Sequence, residues 1–462
     1  MRQPGFRPFL DLLLETGELK AVTAAVDARH ELGQVVRENF RRHGPAIKFE
    51  AVSGHRMPLV SGTLATRRRI ALALGVGEDE LTRTLSEARK PVPARRAASG
   101  PCKEVVVSRD KLDLNAFPSP VWHEEDAGPY LGTLASCVTV DAHTGVRNVG
   151  IYRAMVRDAR TFSVEFPPHK DIARHIKQYE ARDERMPLAL AIGVDPVLTL
   201  LSSAPLPYDE DEYEAWGALR GEPLEVVPCE TNPLEVPADA EIVVEARALL
   251  GRREPEGPFG EHTGYYSAET RMPIFEVTGI THREKPMFHG TDEGRPPNES
   301  ATLRAVGRGA MMFRALRGMG LPGVVDVAVL PEGGANYIVV IAATPAYPGH
   351  VRQLIHAACT QEPLGAKWII VVDGDVNPHD WEEVTWCLWS RAQPQRDLFT
   401  TSDREVGNYL DPSVDPARRG YTSKVGIDAT TAFKGFDFPP LAEPSAALKE
   451  RVLRRWPEYG LP

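Results

Sequence analysis

Apolar residues recur at helical spacing in Phe9, Leu10, Leu13 and Leu14, and again across a longer stretch from about 29 to 42. The run Ala46-Ile47-Lys48-Phe49-Glu50 is short and strand-like. This mixture predicts a small α/β unit. Its end is marked at 89–101, where Pro, Gly and small residues replace periodic hydrophobicity, and that segment reads as a linker. From Val105 to about Val277 the apolar runs are short, β-branched and separated by turn residues. Those at 131–140, 149–156, 188–194, 242–248 and 275–280 predict strands of an antiparallel sheet or barrel. A helix at 170–179 interrupts them, entered through Pro167-Pro168.

From Glu299 the pattern alternates. Helices are expected at 301–316, 350–359 and 381–390, and strands at 324–329, 337–343 and 368–372, which together predict a further α/β unit. A Pro-rich stretch after Phe433 leads into a helix at 445–456, whose Leu448, Val452 and Leu453 are expected to pack on a neighbouring subunit. Neither an internal repeat nor a low-complexity tract is present.

Composition narrows the function classes. With 462 residues, 42% of them hydrophobic, the chain can bury a large core in two or three domains. Its 54 basic and 64 acidic residues give a formal charge of −10, which offers neither a nucleic-acid footprint nor a polybasic membrane patch. The five cysteines are scattered without a CxxC pair, so neither a disulfide framework nor a thiolate zinc site is indicated, and a reducing cytoplasm is expected. No run approaches the ~20 apolar residues of a membrane span.

The most informative segment is Glu256-Gly257-Pro258-Phe259-Gly260-Glu261-His262-Thr263-Gly264-Tyr265, which sets two carboxylates five residues apart on a backbone bent by Gly and Pro. Carboxylates held close together cannot both ionise freely, a property suited to a general acid or base. Alone, the segment also reads as a solvated turn. In Asn148-Val149-Gly150-Ile151-Tyr152-Arg153, on an expected strand, Gly150 is expected to admit a ligand close to the backbone. The Asn carbonyl suits a metal ion and the Arg fork a carboxylate. His169, at a helix start, and Glu230, in the turn-rich Pro228-Cys229-Glu230-Thr231-Asn232-Pro233, complete a mixed O/N set suited to Mn²⁺ or Mg²⁺. Each also has a bland reading as a capping or loop residue. No GxGxxG or Walker A sequence is present.

Taken in order, Asn148-x-Gly-Ile-Tyr-Arg153, Pro-His169, Cys-Glu230-Thr-Asn, Glu256-Gly-Pro-Phe-Gly-Glu261-x-x-Gly-Tyr265, Gly294-Arg-Pro-Pro-Asn-Glu299 and Val371-Val-Asp-Gly-Asp-Val376 resemble the UbiD family of decarboxylases, from about Phe9 to Ala429. The resemblance implies a multidomain α+β fold: an N-terminal α/β domain at 1–104, a central split β-barrel flavin-binding domain at 105–305, and a C-terminal α/β oligomerisation domain at 306–462. It implies prenylated FMN, a divalent metal (Mn²⁺ or Mg²⁺) on Asn148, His169 and Glu230 beside the flavin phosphate, and K⁺ nearby. Ile151, Tyr152, Arg153, Phe166 and Pro168 would line the cofactor, and Arg391 would help hold its phosphate. Arg153, Glu256 and Glu261 resemble the family's catalytic network, with Glu261 protonated as the proton donor. Lys424 is read as a structural lysine, and Thr430 and Thr431 as residues near a variable substrate pocket.

The implied activity is reversible, non-oxidative decarboxylation of an aromatic, heteroaromatic or α,β-unsaturated acid by a homodimer or homohexamer, with a flavin prenyltransferase supplying the cofactor. The alternatives are a carboxylase, or a subunit of one, working in reverse, and a non-catalytic flavin-binding assembly module. Carbon exchange from bicarbonate distinguishes the first; Arg153, Glu256 and Glu261 together speak against the second.

Overall fold

The computed structural model describes residues 4–460. Its centre is a nine-stranded sheet. Eight strands follow one another antiparallel along a single path: Tyr130–Gly132, Ala154–Asp158, Thr161–Val164, Thr270–His282, Ile242–Glu256, Pro187–Ile192, Ser136–Val140 and Arg147–Ile151. The ninth, Val105–Val106, pairs with His282 and Thr281. Arg147–Ile151 ends the path, and the strand that follows it in sequence, Ala154–Asp158, lies second from the opposite end. Only Tyr152 and Arg153 join them. The three extended steps from Ile151 to Ala154 span at most about 11 Å, so the sheet must curl until its ends nearly meet, giving an almost closed barrel. The expected strand at 149–156 is therefore two strands broken at Tyr152-Arg153, and that at 131–140 is likewise broken between Gly132 and Ser136.

The barrel strands bury both faces, which explains their continuous apolar runs. Leu188, Leu190 and Ile192 join one core cluster with Phe162, Phe275 and Ile176. Ala189, Ala191 and Val243 join another, with the N-terminal helix Phe6–Glu15 and the helix Pro196–Ser203.

The N-terminal unit carries a four-stranded sheet in which Leu19–Val22, Ala46–Phe49 and Leu59–Ser61 are completed by Phe288–His289, a strand that returns from beyond the barrel. Glu299 fastens this junction: it accepts hydrogen bonds from the backbone N–H groups of Gly62 (2.8 Å) and Leu64 (2.6 Å) and from the Thr63 hydroxyl (3.0 Å). The segment expected to be a linker is partly built in, since Arg95–Arg96 pairs parallel with Glu225–Pro228. The C-terminal unit holds a five-stranded sheet ordered Val324–Val329, Ile338–Ala343, Trp368–Asp373, Val425–Ala429 and Leu398–Thr400. Period-2 alternation sends Val371 toward the helices Glu299–Gly318 and His350–Gln361, and Val372 toward Trp381–Arg391.

Gly150 has a different use from the one expected. A Cβ there would lie 2.5 Å from the ring of Tyr152, which folds back over the strand and donates its hydroxyl hydrogen to Asn148 Oδ1 at 3.1 Å. Gly150→Ala is therefore expected to displace this ring and lower stability by about 1–3 kcal/mol. Chemical denaturation checks it, with Gly318→Ala as the control, since a Cβ at that helix end meets open space.

Candidate active site

At the barrel seam, Arg153 reaches between two carboxylates. Its Nε donates to Glu256 Oε1 at 3.0 Å and its Nη2 to Glu256 Oε2 at 2.6 Å, while Nη1 pairs with Glu261. Glu256, the last residue of Ile242–Glu256, is fully buried and also accepts the Tyr130 hydroxyl at 3.0 Å. The fork-on-carboxylate pairing leaves no freedom of orientation to the guanidinium. Burial alone would pull the Arg153 pKa down, but Glu261, Glu165 and Glu256 hold it well above the ordinary value.

The loop carrying Glu261 is built by the local sequence. Gly264 N–H donates to Glu261 O at 2.8 Å, Glu261 N–H to Tyr265 O at 3.0 Å, and Gly260 N–H to Asp126 Oδ1 at 2.9 Å. Any side chain at Gly260 would strike the His123 ring, because a Cβ there would lie 2.4 Å from it. Burial would raise the Glu261 carboxyl, yet Arg153, His262 and Arg304 outweigh it and hold Glu261 well below the usual carboxylate range. In the ligand-free chain this pairing favours the ionised form of Glu261, whereas the donor role expected from the sequence calls for the protonated form.

Arg153 and Glu261 face a cavity of about 280 Å³ shared with Asn148, Ile151, Tyr152 and His169. These are the expected residues that the fold brings together. Glu256 stands behind Arg153. Phe166 packs edge-on against Tyr152, with ring centroids 6.4 Å apart. Pro168 is exposed, and its neighbour Pro167 lines the cavity instead.

Glu230 is elsewhere. Glu245, on the barrel strand, accepts the backbone N–H groups of Glu230 and Thr231, each at 2.7 Å, and this turn aims the Glu230 side chain at Lys103. The carboxylate that meets Asn148 is Glu212, opening the helix Glu212–Arg220: it accepts Val149 N–H at 2.8 Å and lies 3.5 Å from Asn148 Nδ2. Desolvation pushes its pKa up to about 8, and no cationic side chain pairs with it among the described residues. A buried carboxyl without a counter-cation, beside an amide and in a cavity that His169 also lines, belongs to a donor set that fits a hard divalent ion.

Arg391 is also outside the cavity: it is held by Asp373 at 2.5 Å and stacks on Trp386 within the C-terminal unit. Lys424 donates to the carbonyls of Pro363 (2.9 Å) and Gly365 (3.0 Å), the structural role expected. Thr430 and Thr431 bond Asp428 and Asp373 at the end of the C-terminal sheet, away from the cavity. Sequence reasoning passed over four other lining residues. Lys170, Arg304 and Arg308 add positive charge, and Glu165 accepts the Tyr409 hydroxyl at 3.3 Å. Enclosure raises the Glu165 carboxyl to about 7 and lowers the Lys170 ammonium to about 8. Arg304 and Arg308 lie at helical spacing, i and i+4, on Glu299–Gly318, a signal legible in the sequence.

Removing Arg153 strands two buried carboxylates. Arg153→Ala is expected to lose about 3–5 kcal/mol of stability by urea denaturation, more than Glu261→Gln. Because the Glu261 pKa is depressed in the folded chain, its contribution is complete above the ordinary value of 4.5 and is lost as the pH falls toward the lower folded value. The stability gap between wild type and Glu261→Gln should therefore narrow on acidification from about pH 5 to about pH 3, and a gap that widened would contradict an ionised Glu261.

Comparison with known proteins agrees with this architecture. Three family models match in sequence: the 3-octaprenyl-4-hydroxybenzoate carboxy-lyase N-terminal domain at 10–89, its Rift-related domain at 94–296 and its C-terminal domain at 301–429. The UbiD-class enzyme HmfF from Pelotomaculum thermopropionicum in complex with FMN is 34% identical, with a TM-score of 0.89 over 96% of this chain and 98% of that one. An evolved dimeric form of HmfF in complex with prFMN gives 32% identity and a TM-score of 0.86 over 96% and 98%. The vanillic acid decarboxylase of Sedimentibacter hydroxybenzoicus in closed form is 29% identical, with a TM-score of 0.86 over 99% of this chain and all of that one. With a barrel seam that presents Arg153 to two carboxylates and family models spanning most of its length, the chain belongs to the UbiD family of carboxy-lyases.

Proposed function

We propose that this carboxy-lyase uses prenylated FMN and a divalent metal to decarboxylate, reversibly, an aromatic, heteroaromatic or α,β-unsaturated acid. The observation that carries the reading is the buried Arg153 fork between Glu256 and Glu261 on the cavity wall. HmfF structures with FMN and prFMN and the vanillic acid decarboxylase support the flavin and the aromatic acid. The division into 1–104, 105–305 and 306–462 belongs to the same reading.

Asn148, His169 and Glu212 would hold Mn²⁺ or Mg²⁺, Glu212 replacing the Glu230 expected from sequence. Lys170, Arg304 and Arg308 supply positive charge for anionic groups, the flavin phosphate among them; K⁺ nearby stays part of the proposal. When bound, the modified flavin supplies the electron sink that an sp² carbon lacks. The chain does the rest. Arg153, fixed by Glu256, orients the substrate carboxylate. Departure of carbon dioxide leaves a site that must take up one proton, and Glu261 at the cavity wall delivers it, having first taken that proton from solvent as ligand binding loosens its pairing with Arg153. Glu165, its carboxyl raised to about 7 by burial, lines the same cavity.

A flavin prenyltransferase would supply the cofactor. The exposed Trp381, Trp386 and Trp389 and the uncovered Leu448 and Leu453 of the helix Ala446–Arg454 support a homodimer or homohexamer. Among the described residues all five cysteines are free and no helix is long and apolar enough to cross a membrane, in keeping with the cytoplasmic assignment proposed here.

Co-expression with a flavin prenyltransferase and anaerobic purification should give protein carrying prenylated FMN by mass and absorbance, releasing carbon dioxide from an acid of this class. Glu261→Gln should lower turnover at least about 100-fold with flavin content unchanged; wild-type turnover in that variant removes Glu261 as donor. Glu212→Ala should lower metal and flavin content together, while Glu230→Ala leaves both near wild type, as read by elemental analysis and flavin absorbance. The reverse pattern would restore Glu230 to the metal site.

A further inference from the structure

Two cavities meet at Arg153. Besides the one that Asn148 and His169 line, a second of about 250 Å³ lies against Thr263, Ser267, Pro412 and Arg419. Five residues line both and so form the partition between them: Arg153, Glu165, Glu261, Tyr409 and Leu410. The second cavity is also bordered by Tyr265 and Tyr266, 64% and 41% exposed, and its rim is therefore open to water. It is an outer chamber to the active site.

Glu165 owes its place in the partition to the backbone. It follows the strand Thr161–Val164, and its N–H donates to Arg153 O at 3.0 Å, one step beyond the pairing of Val164 with Ala154. Pro167 and Pro168, which have no N–H, end the ladder just after it. Of the carboxylates around Arg153, Glu256 and Glu261 pair with its guanidinium, whereas Glu165 makes no ion pair among the described residues. Its side chain is met instead by a neutral phenol. Tyr409 donates to Glu165 Oε1 at 3.3 Å, which leaves Oε2 to carry a proton. The C-terminal unit holds Tyr409 there: Glu405–Val406 pairs with Tyr421–Thr422 at the neck of its segment, and Lys367 holds Asp411 at 2.7 Å. Burial and the charges of Glu261 and Glu256 outweigh Arg153 and the phenol, and the Glu165 carboxyl is raised to about 7. The other charged groups facing the two chambers beside it are Lys170 on the inner side and Asp411 and Arg419 on the outer.

We infer that Glu165 is the inlet through which Glu261 regains its proton, a positioning residue that acts through Glu261 and not on the substrate. The substrate brings one more carboxylate to a partition that holds a single guanidinium. Once Arg153 turns to it, Glu261 loses its counter-charge and becomes the more basic of the two carboxyls. Glu165 then gives up its O–H hydrogen by way of water in the outer chamber, which both groups line. One O–H bond breaks on Glu165 and one forms on Glu261, and the Glu165 carboxylate left behind keeps the Tyr409 hydrogen bond. A proton from the outer water restores it. Over one turnover a single proton passes from solvent to Glu165, to Glu261 and to the carbon that has lost carbon dioxide. The inference rests on the donor role proposed above for Glu261.

The test has two readouts. Infrared difference spectra of the flavin-free protein should show a protonated carboxyl band that titrates away as the pH rises through about 7, is missing from Glu165→Gln, and persists to higher pH in Tyr409→Phe, because the phenol favours the carboxylate. A wild-type protein without that band, or a Glu165→Gln protein that keeps it, would overturn the inlet. Turnover of the flavin-loaded enzyme is read on 4-hydroxybenzoate, 2-furoate and cinnamate, one from each class of acid proposed above. Glu165→Gln should lower it about 10-fold or more with flavin content unchanged. Imidazole, a small acid able to enter the outer chamber, should restore that rate in proportion to its concentration while leaving wild type unaffected, a rescue that a merely structural role would not give. The fall in wild-type turnover as Glu165 loses its proton at rising pH should be absent from the variant. Wild-type turnover in Glu165→Gln, or a loss that imidazole does not relieve, refutes the inlet alone. Wild-type turnover in Glu261→Gln refutes the donor role, and the relay with it.

Discussion

The two-residue step from Ile151 to Ala154 is the constraint on which the active region depends. It joins one edge of the central sheet to a strand near the other, and so forces the sheet to curl. The same step leaves Tyr152 and Arg153 without ladder partners of their own, free to turn their side chains to tasks other than pairing. Tyr152 folds back on Gly150 and fixes Asn148; Arg153 enters the barrel end and takes Glu256 and Glu261. One short connection thus sets both the Asn148 amide and the guanidinium fork. Packing around it is tight: Arg153 stacks over Phe259, its centre 5.0 Å from the ring, and Phe259 packs on Tyr130, the residue that bonds Glu256.

Electrostatics divides the cavity by task. Around Arg153 the charged groups are buried and tied together by hydrogen bonds, so they fix geometry. Glu212, by contrast, is buried with no cationic side chain paired to it among the described residues, and desolvation raises it to about 8. Glu165 and Lys170, shifted toward neutrality from opposite directions, are the lining groups able to change charge near pH 7. An acidic protein can in this way still receive anions, because Lys170, Arg304 and Arg308 are gathered on one wall.

What the sequence discloses follows the strength of local signals. The Glu256–Glu261 loop is legible because Gly and Pro spacing specifies its turns, and the C-terminal unit because its helices and strands alternate cleanly. The barrel is recognisable as short strands, but not where they break: 149–156 looks continuous, since Tyr152 and Arg153 suit a strand as well as its neighbours do, and only long-range pairing interrupts it. Glu230 stands out ahead of Glu212 because a Cys-Glu-Thr-Asn turn attracts attention, whereas Glu212 lies in an acidic run that reads as solvated surface. Its helix, capped by Asp211 through Tyr213 N–H at 2.8 Å, carries a usable start signal. The preceding helix Pro196–Ser203 is apolar on nearly every face and so shows no amphipathic period. Arg391 and Glu230 are placed by motif order, which fixes sequence position but not the direction a side chain faces.

Behind the cavity, His123 links the loops that carry the acidic groups. Its Nε2 lies 3.0 Å from Asp292, the residue before Glu293, and its Nδ1 lies 3.4 Å from Asp126, which in turn accepts Gly260 N–H beside Glu261. Burial draws the imidazolium down, but the two aspartates dominate and raise it to about 10. The two aspartates thus favour the charged imidazolium in this brace. Pro258 and Ala127 add a backbone bond of 2.9 Å between the same two segments. The groups whose ionisation lies nearer neutrality, Glu165 and Lys170, line the cavity, whereas His123 stands behind the loops that carry Glu261 and Glu293.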